Sequence, residues 1–111
     1  MTAAFNAAET MSVAIADAPE RERYEICVDG ELAGFTEYKN RPGIIAFIHT
    51  EVDGGFRGRG LGDRLITYAL DDARTRGLFV LPFCPFVRSF IQSHPDYVGL
   101  VPESQRSGFE V

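Results

Sequence analysis

The residues best suited to chemistry lie between His49 and Arg74, in HTEVDGGFRGRGLGDRLITYALDDAR. Gly54, Gly55, Gly58, Gly60 and Gly62 crowd one loop, with Arg57 and Arg59 between them. Glycines where a strand gives way to a helix let the backbone approach a ligand and leave N–H groups of the first helical turn pointing outward, an arrangement that holds a pyrophosphate. The arginines add positive charge there, although exposed arginine is also ordinary surface. His49 and Glu51 are two residues apart on one strand, so they share a face and either can take a proton, directly or through water. Each also has a structural alternative, a satisfied core histidine and a paired carboxylate. Cys84 falls between a strand and a helix start, where amide dipoles favour a thiolate nucleophile; the alternative is a small buried hydrophobe. His94 closes the following helix and is as suited to capping it as to catalysis, with its ring within possible reach of Cys84.

These residues must be placed by a mixed α/β architecture. VAIAD, Val13 to Asp17, reads as a short strand closed by Pro19. Arg23 to Val28 alternates with period two, Asp29-Gly30 is a hairpin turn, and Leu32 to Tyr38 returns antiparallel before the Asn40 to Gly43 turn. Ile44 to Val52 is the central strand, with Ile44, Ala46, Ile48, Thr50 and Val52 expected on one face and Ile45, Phe47, His49 and Glu51 on the other. Apolar groups on both faces predict that both are covered. Leu61, Leu65, Ile66, Ala69, Leu70 and Ala73 recur at helical spacing, and Gly77 ends that helix. A strand from Leu78 stops at Pro82, in a right-handed parallel unit. Pro85 opens a second helix with Phe86, Val87, Phe90 and Ile91 as its apolar stripe, ended by His94-Pro95. The expectation is an antiparallel meander followed by a parallel strand–helix–strand unit, with a helix on either face or both on one. Residues 1–12 read as a flexible extension, 13–101 as the domain, with Val98, Leu100 and Val101 against a sheet edge, and 102–111 as a loose tail.

Composition narrows the function classes. The 111 residues suit one domain. The net charge of −5 and the absence of a Lys/Arg run argue against nucleic acid as a partner. Cys27 and Cys84 do not make a disulfide framework, and two histidines without close cysteine spacing predict no metal site. Residues 1–20 lack a signal-peptide core and no stretch approaches membrane-spanning length, so a soluble, reduced, cytoplasmic protein is expected, a monomer or weak dimer. The loop is not a P-loop, since Gly62 is followed by Asp63 and Arg64 and not by Lys-Ser/Thr, and the chain is too short for two dinucleotide-binding halves.

The meander, the strand and then R-G-R-G-L-G with its helix resemble the acetyl-CoA-binding core of the GCN5-related N-acetyltransferase superfamily, whose signature is Arg or Gln, two residues, Gly, one residue, Gly or Ala. Arg57, Gly60 and Gly62 occupy those places. With HTEV at His49, PFCPFV at Pro82 and HPDY at His94, the chain is similar to the small single-domain members of that superfamily. The resemblance implies an acyltransferase with acetyl-CoA as the small-molecule acyl donor and an amine as acceptor, a protein lysine among the candidates. It implies main-chain contacts from Thr50, Glu51 and Val52 to the pantetheine arm, and pyrophosphate contacts from Arg57, Gly58, Arg59, Gly60, Leu61 and Gly62. It brings Cys84 near the thioester, assigns proton transfer to His49 or Glu51, and leaves His94 as a further candidate. Larger members carry two helices between their first strands and further C-terminal strands. Lacking these, the chain should leave its acceptor side open. Two rivals stay open: a coenzyme A or acyl-CoA-binding module without turnover, and an unrelated phosphate- or nucleotide-binding α/β protein.

Overall fold

The computed structural model describes residues 12–111. The expected N-terminal extension therefore lies, except for Ser12, outside the described residues. Five strands, β1 (Val13–Ala18), β2 (Arg23–Val28), β3 (Glu31–Arg41), β4 (Ile44–Val52) and β5 (Phe79–Pro82), form one sheet in sequence order. The first four pair antiparallel, and β5 joins β4 in parallel. Asp29 and Gly30 have φ of 51° and 83°, the two positive values that an Asp-Gly hairpin turn requires.

Helix α1 (Leu61–Thr75) connects β4 to β5, and α2 (Pro85–Ser93) follows β5. The apolar stripe of α1, Leu61, Leu65, Ile66, Ala69, Leu70 and Ala73, is buried. It covers Tyr24, Ile26, Tyr38, Ile45 and Phe47 of the sheet in one hydrophobic cluster. Its end is a Schellman motif: Gly77, at φ 71°, donates to Arg74 O at 3.1 Å, and Leu78 N donates to Ala73 O at 2.9 Å.

Both helices pack on the same face. A Cβ built on Gly62 near the start of α1 would meet Phe86 near the start of α2. Farther along, Tyr97 Oη donates to Asp71 Oδ1 at 2.8 Å and Arg74 Nη2 to the Asp96 carbonyl at 3.0 Å. The opposite face carries no helix among the described residues, and the expectation that both faces are covered is corrected. Ile44, Ala46 and Leu81 remain half-buried there. They are short of full burial because, among the described residues, no second layer covers that face.

Face assignment along β4 also differs from strict alternation. Glu37 pairs with His49 but Tyr38 pairs with Phe47, so Ile48 is an extra residue forming a β-bulge. Beyond it the parity changes. Thr50 joins Phe47 on the helix-covered face, while His49 and Glu51 join Ile44 and Ala46 on the open one. The expected loose tail is instead packed: a 3₁₀ turn (Glu103–Gln105) leads into α3 (Arg106–Phe109). Phe109 is buried against Phe83, ring centroids 5.1 Å apart, and Gln92 Nε2 donates to the Glu110 carbonyl at 3.1 Å. Of the residues expected at a sheet edge, Val101 joins the core and Val98 and Leu100, in the Pro95–Leu100 turn, pack against it.

Candidate functional site

β4 and β5 separate because β5 is short and ends in proline. Their last paired residues are Phe47 and Pro82, after which Cys84 N donates to Phe47 O at 2.8 Å and the chain turns into α2. Proline has no N–H with which to extend a ladder. Among the described residues, β4 thus runs on to Val52 with no strand beside it on the β5 side. Backbone groups pointing that way are available to an extended partner.

This free edge forms one wall of a cavity of about 630 Å³. β4 contributes His49, Thr50, Glu51 and Val52. The opposite wall is the glycine loop and the first turn of α1, with Arg57, Gly58, Gly60, Leu61 and Gly62. Gly58 and Gly60 adopt φ of 81° and 72°, and Gly60 is the N-cap of α1. Gly60 has no side chain with which to cap that helix, so its first N–H groups suit an acceptor from outside it. Arg57 Nε donates to Val52 O at 3.4 Å and ties the loop to the end of β4. Arg59 is not among the residues lining the cavity; its guanidinium lies 5.4 Å over the Phe56 ring, and Phe56 does line it.

Glu51 and His49 stay together after the bulge. His49 Nε2–H donates to Glu51 Oε2 at 2.7 Å, and both side chains are more than half exposed. The pair lines the cavity from the open face of the sheet. A group able to accept a proton therefore borders the ligand space and faces water.

Cys84 is placed differently. It is 2% exposed, at the N-cap of α2, and does not line the cavity. Its Sγ shares a hydrogen bond with Thr50 Oγ1 at 3.3 Å, and Thr50 Oγ1 shares another with the buried Thr36 hydroxyl at 2.8 Å. The Thr50 side chain, which lines the cavity, contacts the thiol. His94 is at the far end of α2, about 15 Å along the axis from Cys84 at 1.5 Å per residue. Its ring stacks on Phe90 at 3.9 Å, and Nδ1–H donates to the Phe90 carbonyl at 2.8 Å. The expected approach of His94 to Cys84 does not occur, because the helix separates its own two ends.

Sequence reasoning missed three residues of the lining: Phe56, Asp63 and Phe86. Phe86, expected in the apolar stripe of α2, is 41% exposed and lines the cavity. The available signal was Gly62, since a glycine inside the first helical turn allows another group to press against the backbone. A Cβ there would lie 2.7 Å from Phe86 Cζ. Among the described residues no cluster of three or more His, Cys, Asp or Glu can hold a metal ion, and no helix is long and apolar enough to cross a membrane.

A model of a protein family described as GCN5-related N-acetyl-transferase matches residues 23–100, from the start of β2 to the turn after α2. No curated protein matches the chain.

Proposed function

Because the chain belongs to the GCN5-related N-acetyltransferase family, we propose that it transfers an acetyl group to an amine from acetyl-CoA held in the cavity between the end of β4 and the start of α1. The observation that carries this reading is the run of β4 beyond its last pair with β5. The donor's pantetheine arm is an extended chain bearing amides, and an unpaired strand edge is complementary to it. The pyrophosphate fits the uncapped start of α1, whose N–H groups and dipole favour an anion. The cavity walls therefore suit both parts of acetyl-CoA.

When bound, acetyl-CoA supplies a thioester whose carbonyl carbon the amine attacks. Main-chain groups at Thr50, Glu51 and Val52 would hold the arm. Backbone N–H groups from Gly58 to Gly62 would hold the pyrophosphate, with Arg57 and Arg59 adding positive charge. The His49–Glu51 pair takes the proton released as the amine becomes a nucleophile, and its exposure lets the proton pass to water.

The test is release of free thiol from acetyl-CoA in the presence of amines. His49→Ala and Glu51→Gln should each lower kcat/KM by about 10²- to 10⁴-fold, the usual range for a general base, with coenzyme A affinity retained. Rates equal to wild type would remove the pair from the reaction. Binding without thiol release by the wild-type protein would instead identify a coenzyme A-binding module. Stabilisation by ATP or NAD as large as that by coenzyme A would favour a nucleotide protein.

A second reading keeps Cys84 as a nucleophile that carries the acetyl group, supported by the Thr50 hydroxyl, which lines the cavity and contacts Sγ. It requires an acetyl adduct, seen by intact mass in wild type and absent in Cys84→Ala. Equal transfer rates in the two proteins would restrict Cys84 to packing beneath Thr50.

A further inference from the structure

We propose that a second, smaller cavity on the open face of the sheet is the acceptor subsite, and that it takes a primary ammonium on an alkyl stem. This rests on the donor reading of the larger cavity. The depression, about 180 Å³, lies at the β3–β4 end of the sheet and is lined by Leu32, Ala33, Gly34, Phe35, Glu51 and Asp53. Phe35 and Glu51 are direct cross-strand partners, so ring and carboxylate stand side by side. Glu51 lines both cavities. A group held by Glu51 is thus at the border of the donor space.

The chemistry of the lining selects the ligand. Leu32 and Phe35 offer an apolar surface, while Glu51 and Asp53 supply two carboxylates. An anion would be repelled, and a neutral apolar ligand would leave the charges without a counter-ion. An alkyl stem with a terminal cation satisfies both halves. Neighbouring cations are already engaged: Arg23 lies 4.4 Å over the Phe35 ring with Nε 2.8 Å from Glu25, and His49 donates to Glu51. The depression, about 180 Å³ and open to solvent, has room for a short alkyl chain. The tail of a lysine side chain, four methylenes and a nitrogen, is within that size. Guanidinium is not selected, since it does not lose a proton to become a nucleophile. In the transfer the C–N bond forms as the C–S bond breaks. Of the three ammonium protons, one stays on the amide nitrogen, one reaches the departing thiolate, and one leaves through the His49–Glu51 pair to water.

The test reads binding by amide NMR shifts on the full chain without acyl donor, using n-pentylamine, Nα-acetyl-lysine methylamide and, as a neutral control, n-pentanol. Coenzyme A is titrated separately. Both ammonium ligands should move the amides of Leu32 to Phe35 and Glu51 to Asp53, with pentanol at least tenfold weaker. Asp53→Asn keeps a side-chain oxygen for the Gly55 N–H that Asp53 now caps. Leu32→Lys places a positive charge at an exposed position. Each should weaken amine binding at least tenfold with coenzyme A affinity unchanged. Glu103→Gln, the same change of net charge on a distant turn, should bind as wild type. The lysine derivative binding at least as well as pentylamine supports a chain-borne lysine as the source of the stem; tenfold weaker binding supports a free amine. Equal binding of pentanol, amine shifts elsewhere on the protein, or full affinity in both cavity variants would overturn the subsite. Coenzyme A leaving the Arg57 to Gly62 amides unmoved, while amines still bind beside Phe35, would overturn the donor reading and with it the assignment as acceptor site.

Discussion

Two glycines of the loop are required for different physical reasons. Gly60 has φ of 72°, and a Cβ there would meet nothing within 4 Å, so its constraint is conformational. Gly62 is helical, and its constraint is the Phe86 ring 2.7 Å from the position of a Cβ. Gly62→Ala is therefore expected to overpack the junction of α1 and α2 at a cost of about 1–3 kcal/mol. It should also weaken coenzyme A binding, because Phe86 lines the cavity and must move. Phe86→Leu should recover at least ~1 kcal/mol of that loss in a double-mutant cycle read by urea denaturation. Gly60→Ala, costing about 1–2 kcal/mol through its backbone, should show no such rescue. Additive effects of Gly62→Ala and Phe86→Leu would mean that the ring does not depend on the glycine.

The bulge in β4 is the element that organises the site. One extra residue increases the local bend and twist of the bulged strand, and Ile48 stands where β4 leaves its last pair with β5. Deleting Ile48 would remove the extra residue yet keep His49 and Glu51 on the open face and Thr50 on the helix face. The variant should remain folded by circular dichroism, with a lower Tm. Its coenzyme A dissociation constant should rise at least about tenfold, ~1.4 kcal/mol, because a regular strand no longer bends away from β5. Unchanged affinity would show that the proline end of β5 is sufficient to open the edge.

At the scale of the molecule, α1 is tied to the meander by a network at the end of the sheet remote from the loop. Tyr24 Oη donates to Asp72 Oδ2 at 2.5 Å, Tyr38 Oη donates to Asp17 Oδ1 at 2.6 Å, and Arg76 reaches both carboxylates. Burial, reinforced by the hydrogen-bonded carboxylates, pushes both phenols well above their ordinary value. The folded state then retains protons that the unfolded chain loses above the ordinary tyrosine value of 10.0. The stability linked to these tyrosines is complete below that pH and declines as the pH rises beyond it. Denaturation followed from pH 8 to 11 should show this decline. Tyr24→Phe should flatten it and cost about 1.5–3 kcal/mol near neutrality, the net value of a hydrogen bond to a charged group. An unchanged alkaline slope in Tyr24→Phe would place the titration elsewhere.

Much of the arrangement was legible from local sequence, because it depends on neighbours within a few residues. Asp29-Gly30 specifies its turn through the φ values it tolerates, the stripe from Leu61 to Ala73 specifies a helix and its buried side, and the glycines between β4 and α1 mark where a backbone can meet an anion. The same locality placed His49 with Glu51, since two residues on one strand share a face however the strand is paired. Only the tertiary structure decided features that depend on a distant partner. The extra residue at Ile48 exists relative to β3, so the two faces of β4 could not be assigned from its own alternation. Amphipathicity gives each helix a buried side but does not state which sheet face receives it, and here both took the same one. Phe86 meets Gly62, Phe109 meets Phe83, and Thr50 lies between Cys84 and the cavity through packing of segments far apart in the chain. The separation of β4 from β5, on which the candidate site depends, arises from a bulge and a proline on two strands joined only through α1, and no single stretch of sequence contains it.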